Sequence, residues 1–160
     1  MTLGDLGNIG DFIGGVLVAV SVIYLATQIR QNTKSLRAAA YQEAVHGANE
    51  WSNILVHEKD HNRLLYQGCR DHSSLSPEEL NQFSHLMMIF IRNYAVAAHL
   101  EENDLITVGI RGSYENGIRD LFRRTSMLVW LSNHESVIDP TTVARIRSIV
   151  ASQNQDTARG

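Results

Sequence analysis

The chain has 160 residues, 44% hydrophobic and 19% charged, with eleven glycines, two prolines and one cysteine. That length holds one compact domain and at most a small appendage, and the composition excludes disordered, collagenous and disulfide-scaffold classes. A net charge of −3 gives no electrostatic reason to expect a nucleic-acid partner.

From Phe12 to Ile29 the sequence reads FIGGVLVAVSVIYLATQI, with no charged side chain, between Asp11 and Arg30. At about 1.5 Å per helical residue, this run with its flanks is long enough to cross a hydrocarbon core of about 30 Å. A transmembrane helix is therefore predicted over 12–29. A buried helix of a soluble domain is the alternative, but its polar stripe is missing: only Ser21, Thr27 and Gln28 interrupt the run.

Charge sets the expected orientation. Residues 1–11 contain Asp5 and Asp11 and no basic side chain, whereas all fourteen lysines and arginines follow the span. A cleaved signal peptide shows the reverse order. Arg30, Lys34 and Arg37 come directly after the apolar run, which predicts a short extracytoplasmic N-terminus at 1–11 and a cytoplasmic domain from Arg30 onward. Lys34 and Arg37, close to the anionic inner leaflet, would each gain about 1 kcal/mol there. Cys69, which has no second cysteine to bond with, would stay reduced in that compartment. Tyr24 falls near the inner end, where an amphipathic ring suits the headgroup level.

Gly7, Gly10, Gly14 and Ser21 are spaced by three, four and seven residues and so share one helical face. Gly10 and Gly14, like Gly15 and Ala19, satisfy the small-xxx-small spacing that lets membrane helices approach closely. This face is the expected contact of a homo-oligomer. Glycine is also common in membrane helices generally, and Gly4, Gly7 and Gly10 read equally well as a flexible lead-in.

No helix breaker separates Arg30 from Trp51, and Leu36, Ala40, Ala44, Ala48, Trp51 and Leu55 recur every three or four residues. The membrane helix is expected to continue into the domain and end near His57, with Gly47 costing about 1 kcal/mol or permitting close packing. Asp60 is expected to cap a short helix over 61–67 that Gly68 terminates, followed by a polar link over 70–75. Ser76-Pro77-Glu78-Glu79 then combines an N-cap serine, a first-turn proline and a glutamate three residues after the cap. The helix it opens should carry Leu80, Phe83, Met87, Phe90, Tyr94 and Ala97 inward and run to about Glu102.

Residues 105–110 are ambiguous between a helical turn and an extended connection. A further helix from Ser113 should bury Tyr114, Ile118, Leu121 and Phe122, with Met127 to Leu131 as its apolar end. Asp139-Pro140 opens the last helix, with Val143, Ile146, Ile149 and Val150 inward. The fold class is all-α: an N-terminal transmembrane helix continuing into a cytoplasmic helical bundle of four to five helices over 30–151, with a frayed tail at 152–160.

His57-Glu58-Lys59-Asp60-His61 spells H-E-x-x-H, the pattern that sets two imidazoles on one helical face for zinc beside a general-base carboxylate. Lys59 beside a dication is electrostatically costly, the segment falls at an expected helix boundary, and only Glu78 or Glu79 offers a third ligand. No metal site is expected, and these residues read as solvated helix ends. His46, His72, His85, His99 and His134 lack ligand spacing. Cys69 reads as an inert thiol rather than an activated one. No G-x-S-x-G, Walker-type loop or G-x-G-x-x-G is present. Arg111, Arg119, Arg123 and Arg124, interleaved with Tyr114 and Phe122, form the densest basic cluster. It reads first as a solvated face paired with Glu115 and Asp120, and second as a phosphate or headgroup site. Trp51 and Trp130 are expected as core anchors.

The string IYLATQIRQNT from Ile23 to Thr33, which ends in QIRQNT, with Leu36-Arg37 after it, resembles the opening of a family of small uncharacterised bacterial proteins. The likeness extends loosely through Leu64 to Gly68, the Ser76 to Glu79 helix start, and the aromatic helix around Phe90 to Tyr94. The resemblance implies a bacterial origin, an N-terminal membrane helix and a helical domain, with a helix junction at His57 to His61; it implies no activity.

Together these observations predict a non-enzymatic, inner-membrane-anchored protein without a cofactor, in contact with the lipid bilayer. It would self-associate through Gly7, Gly10, Gly14 and Ser21 and present its bundle to an unidentified protein partner. The alternative is an oligomeric channel or transport accessory subunit in which Ser21, Thr27 and Gln28 face a pathway.

Overall fold

The computed structural model of the protein describes residues 3–107 and 109–157. Six α-helices follow one another: α1 (Leu3–His57), α2 (Lys59–Asp71), α3 (Pro77–Glu102), α4 (Gly109–Leu121), α5 (Thr125–His134) and α6 (Pro140–Thr157). Short 3-10 turns at His72–Ser74 and Glu135–Val137 complete the order, and there is no strand among the described residues. The fold is all-α.

The chain divides into two compact units, 1–39 and 40–160, and α1 supplies residues to both. In the first unit α1 is long and apolar enough to cross a membrane: its most apolar 18-residue window has a mean hydropathy of 2.1 and is 0% buried. Its polar side chains turn back on their own helix. Ser21 Oγ donates to the Leu17 carbonyl at 2.8 Å, Thr27 Oγ1 to Tyr24 O at 2.7 Å, and Gln28 Nε2 to the Tyr24 hydroxyl at 2.9 Å. Bonding of this kind lowers the cost of placing a hydroxyl or carboxamide in an apolar solvent.

The second unit is built around α3. Its start follows the local chemistry: Ser76 Oγ accepts from the Glu79 N–H at 3.3 Å, and Glu79 Oε2 accepts from the Ser76 N–H at 3.0 Å. Phe83, Met87, Phe90, Tyr94 and Ala97 are buried as their spacing requires, together with Leu86, Ile91 and Ala98. Trp130 of α5 is buried edge-on to Phe83, at a centroid distance of 6.1 Å, and its Nε1 donates to Ser84 Oγ at 3.1 Å. Val143, Ile146, Ile149 and Val150 of α6 close the core. Asp139 Oδ2 caps that helix, accepting from the Thr142 N–H at 2.9 Å.

Three local expectations are corrected. Asp60 does not cap α2: Glu58 holds the cap position in extended conformation without a side-chain bond, and Asp60 sits in the first turn. Gly68 does not end α2, which runs on to Asp71. A Cβ at Gly68 would stand 2.4 Å from Phe83 Cδ2, so glycine is there to let a ring lie against the helix backbone. The same device recurs at Gly47, facing Asn93, and at Gly117, facing Phe90. Finally, Met127 to Leu131 does not extend α4. The chain leaves helical geometry at Phe122–Arg124 and begins α5 at Thr125, with Arg124 in extended conformation at φ −92°, ψ 139°. Of the ambiguous stretch 105–110, residues 105–107 are non-helical, with Ile106 buried, whereas Gly109 and Ile110 already belong to α4, which begins four residues before the expected start at Ser113.

Candidate functional site

The predicted oligomer face lies on the apolar half of α1. A Cβ at Gly10, Gly14 or Gly15 would meet nothing within 4 Å, so the backbone is open on that face. Ser21 is exposed. Gly7 belongs to α1, but its surroundings lie outside the described residues. Arg30, Lys34 and Arg37 are exposed, and none takes part in an ion pair among the described residues. Three unpaired cations within eight positions suit an anionic surface better than an isolated helix in water.

The H-E-x-x-H string straddles a helix junction. His57 ends α1, Glu58 is extended at φ −118°, ψ 103°, and His61 lies in α2. The two imidazoles therefore do not share a helical face. His61 Nδ1 lies 3.3 Å from the Ile54 carbonyl and its Nε2 3.7 Å from Glu58. Among the described residues, no three His, Cys, Asp or Glu side chains are grouped to hold a metal ion. Two other histidines serve the fold: His72 Nδ1 lies 2.7 Å from Ser126 Oγ, and His134 stacks on Trp130 at 4.3 Å.

The arginine cluster is split by the break after α4. Arg111 pairs with Glu115 at 2.8 Å and with Glu101 at 3.6 Å, and Arg119 reaches Glu115 at 3.7 Å. Arg123 and Arg124 are exposed beyond the helix end, while Tyr114 and Phe122 are buried, so the four cations and two rings do not form one binding surface. The Asp120 partner suggested by spacing is not engaged by any of these arginines among the described residues.

Two cavities in the second unit were not evident from the sequence. One, of about 310 Å³, is walled by Trp51, Phe90 and Tyr114, whose rings are in contact at centroid distances of 5.4 and 5.6 Å. Trp51 is thus a half-buried wall and not a fully buried anchor, unlike Trp130. The other, of about 290 Å³, is lined by residues of α1, α2 and the α4–α5 junction, with Cys69 among them. Cys69 is buried, and that burial pushes its thiol up to about 11 despite the opposing influence of Arg124. It is a neutral thiol at physiological pH, not a nucleophile. Neither cavity has a linear signature, because each is assembled from helices distant in sequence.

No known protein family, curated protein or solved structure matches the chain.

Proposed function

We propose that this is a membrane-anchored, self-associating helical protein with a scaffold, adaptor or regulatory role and no catalytic activity of its own. In this reading it resides in a bacterial inner membrane, with residues 1–11 outside and the domain from Arg30 in the cytoplasm. The observation that carries it is the complete exposure of the apolar window of α1, where Phe12, Leu17, Val18 and Ile23 are each more than half exposed. A water-soluble monomer rarely presents so continuous an apolar surface, whereas lipid removes the penalty. The basic side chains at 30, 34 and 37 support the orientation. The open backbone at Gly10 and Gly14 supports a second copy as the helix partner.

Crosslinking in lipid tests this reading. Replacing Gly10 and Gly14 together with leucine should abolish the oligomer while leaving the protein in the membrane fraction. An oligomer unchanged by both substitutions removes the glycine face, and recovery of the intact chain as an aqueous monomer removes the anchor. The channel alternative draws less support, because the polar groups of Ser21, Thr27 and Gln28 bond within α1; ion flux in proteoliposomes separates the two.

A further inference from the structure

The break between α4 and α5 has a chemical consequence. Asp120 and Arg124 are four residues apart, the spacing at which a carboxylate and a guanidinium pair on the surface of a continuous helix. Here the helix ends at Leu121 and Arg124 is extended, so the spacing no longer brings them together. Among the described residues neither side chain has an ion-pair or hydrogen-bond partner; both instead line the cavity of about 290 Å³ beside α2. Both charges act on the thiol of Cys69 with opposite sign, Arg124 lowering its pKa and Asp120 raising it, so both reach the same small volume.

The remaining walls define what could lie between these charges. Leu55, Leu65 and Leu121 supply an apolar surface, Tyr66 adds an aromatic ring beside the neutral Cys69 thiol, and Asn62 adds a carboxamide that both donates and accepts. Ligand pockets generally run from about 300 to 1,000 Å³, and this one, at about 290 Å³, sits just under that range and suits only a small molecule. A simple anion would leave Asp120 as a repulsive neighbour, and a simple cation would meet Arg124 in the same way. A solute with both charges and a short hydrocarbon chain satisfies every wall.

We propose that this cavity is a binding site for a free aliphatic amino acid, its carboxylate on Arg124, its ammonium on Asp120 and its side chain against the three leucines. The site belongs wholly to the second unit, and its existence does not depend on the membrane reading. Occupancy would bridge α2 to the α4–α5 junction.

Calorimetric titration of the full-length protein in lipid nanodiscs with L-leucine tests the proposal, with 4-methylpentanoate and 3-methylbutylamine as single-charge analogues. Leucine should bind, and each analogue should bind about tenfold more weakly or worse, the loss expected for one charged hydrogen-bonded contact. Asp120→Asn and Arg124→Gln should each weaken leucine by a similar factor, whereas Arg123→Gln, one position away, should leave it unchanged. Absence of leucine binding, equal binding of the carboxylate-only analogue, or indifference to both cavity variants would overturn the site. Both residues are exposed, and circular dichroism of each variant establishes that the bundle is intact.

Discussion

The side-chain amide of Asn93 on α3 donates to the backbone carbonyl of Gly47 on α1 at 2.9 Å. A Cβ at position 47 would stand 2.9 Å from Asn93 Oδ1 and would push the amide out of this position. Asn93→Ala should cost about 1 kcal/mol. Gly47→Ala should remove the same bond by steric displacement, so the two substitutions combined should cost clearly less than their sum. Denaturant midpoints of the four forms measure this coupling, and strict additivity would contradict it.

Gly68→Ala should be the more damaging glycine substitution. The ring it would strike belongs to Phe83, fully buried and braced edge-on by Trp130, so it cannot swing aside as a surface amide can. Overpacking of this kind costs about 1–3 kcal/mol. A thermal unfolding curve for Gly68→Ala that overlays the parent would show that α2 and α3 tolerate a wider separation.

Acid should loosen the start of α3. The Arg63 guanidinium, bonded at 2.8 Å, is the largest influence on Glu79, followed by the N–H and hydroxyl of Ser76; together they pull its carboxyl from 4.5 down to about 2. Because the folded state favours the ionised form, the contribution of Glu79 is fully present above pH 4.5 and is lost as the pH falls toward 2. Glu79→Gln should therefore flatten the decline in stability across that interval while leaving the remaining acid dependence in place. If parent and variant lose stability in parallel below pH 4.5, the capping pair is not contributing.

Cys69 should resist alkylation in the native protein. Its thiol is buried and held protonated up to about pH 11, so iodoacetamide at pH 8 should label it only in denaturant. Labelling should thus report the opening of the bundle. Rapid modification without denaturant would mean that the wall formed by α2 opens readily.

Patterns confined to one helix could be read directly. The membrane-length run and the uninterrupted continuation of α1 to His57 follow from an unbroken apolar and helical periodicity. The start of α3 at Pro77, the start of α6 at Pro140 and most of the inward faces depend on residues three or four apart, whose interaction is settled by helix geometry alone. The helix boundary inside the H-E-x-x-H string is legible for the same reason, and it falls at Glu58. Gly68 is ambiguous in the sequence because glycine has two uses, and the choice between them depends on Phe83, fifteen positions later, arriving against it. The end of α4 is hidden in the sequence because apolar residues continue past the break.

By itself, then, the amino-acid order determined the all-α class, the charge asymmetry around the apolar run and two of the helix caps, since each is an interaction between near neighbours along the chain. Only the tertiary structure decided which glycines serve as seats for other helices, which arginines are neutralised by Glu101 and Glu115, and that Asp120 and Arg124 face a cavity instead of each other. Those outcomes require helices far apart in sequence to meet at defined distances, and no local periodicity encodes a distance between helices.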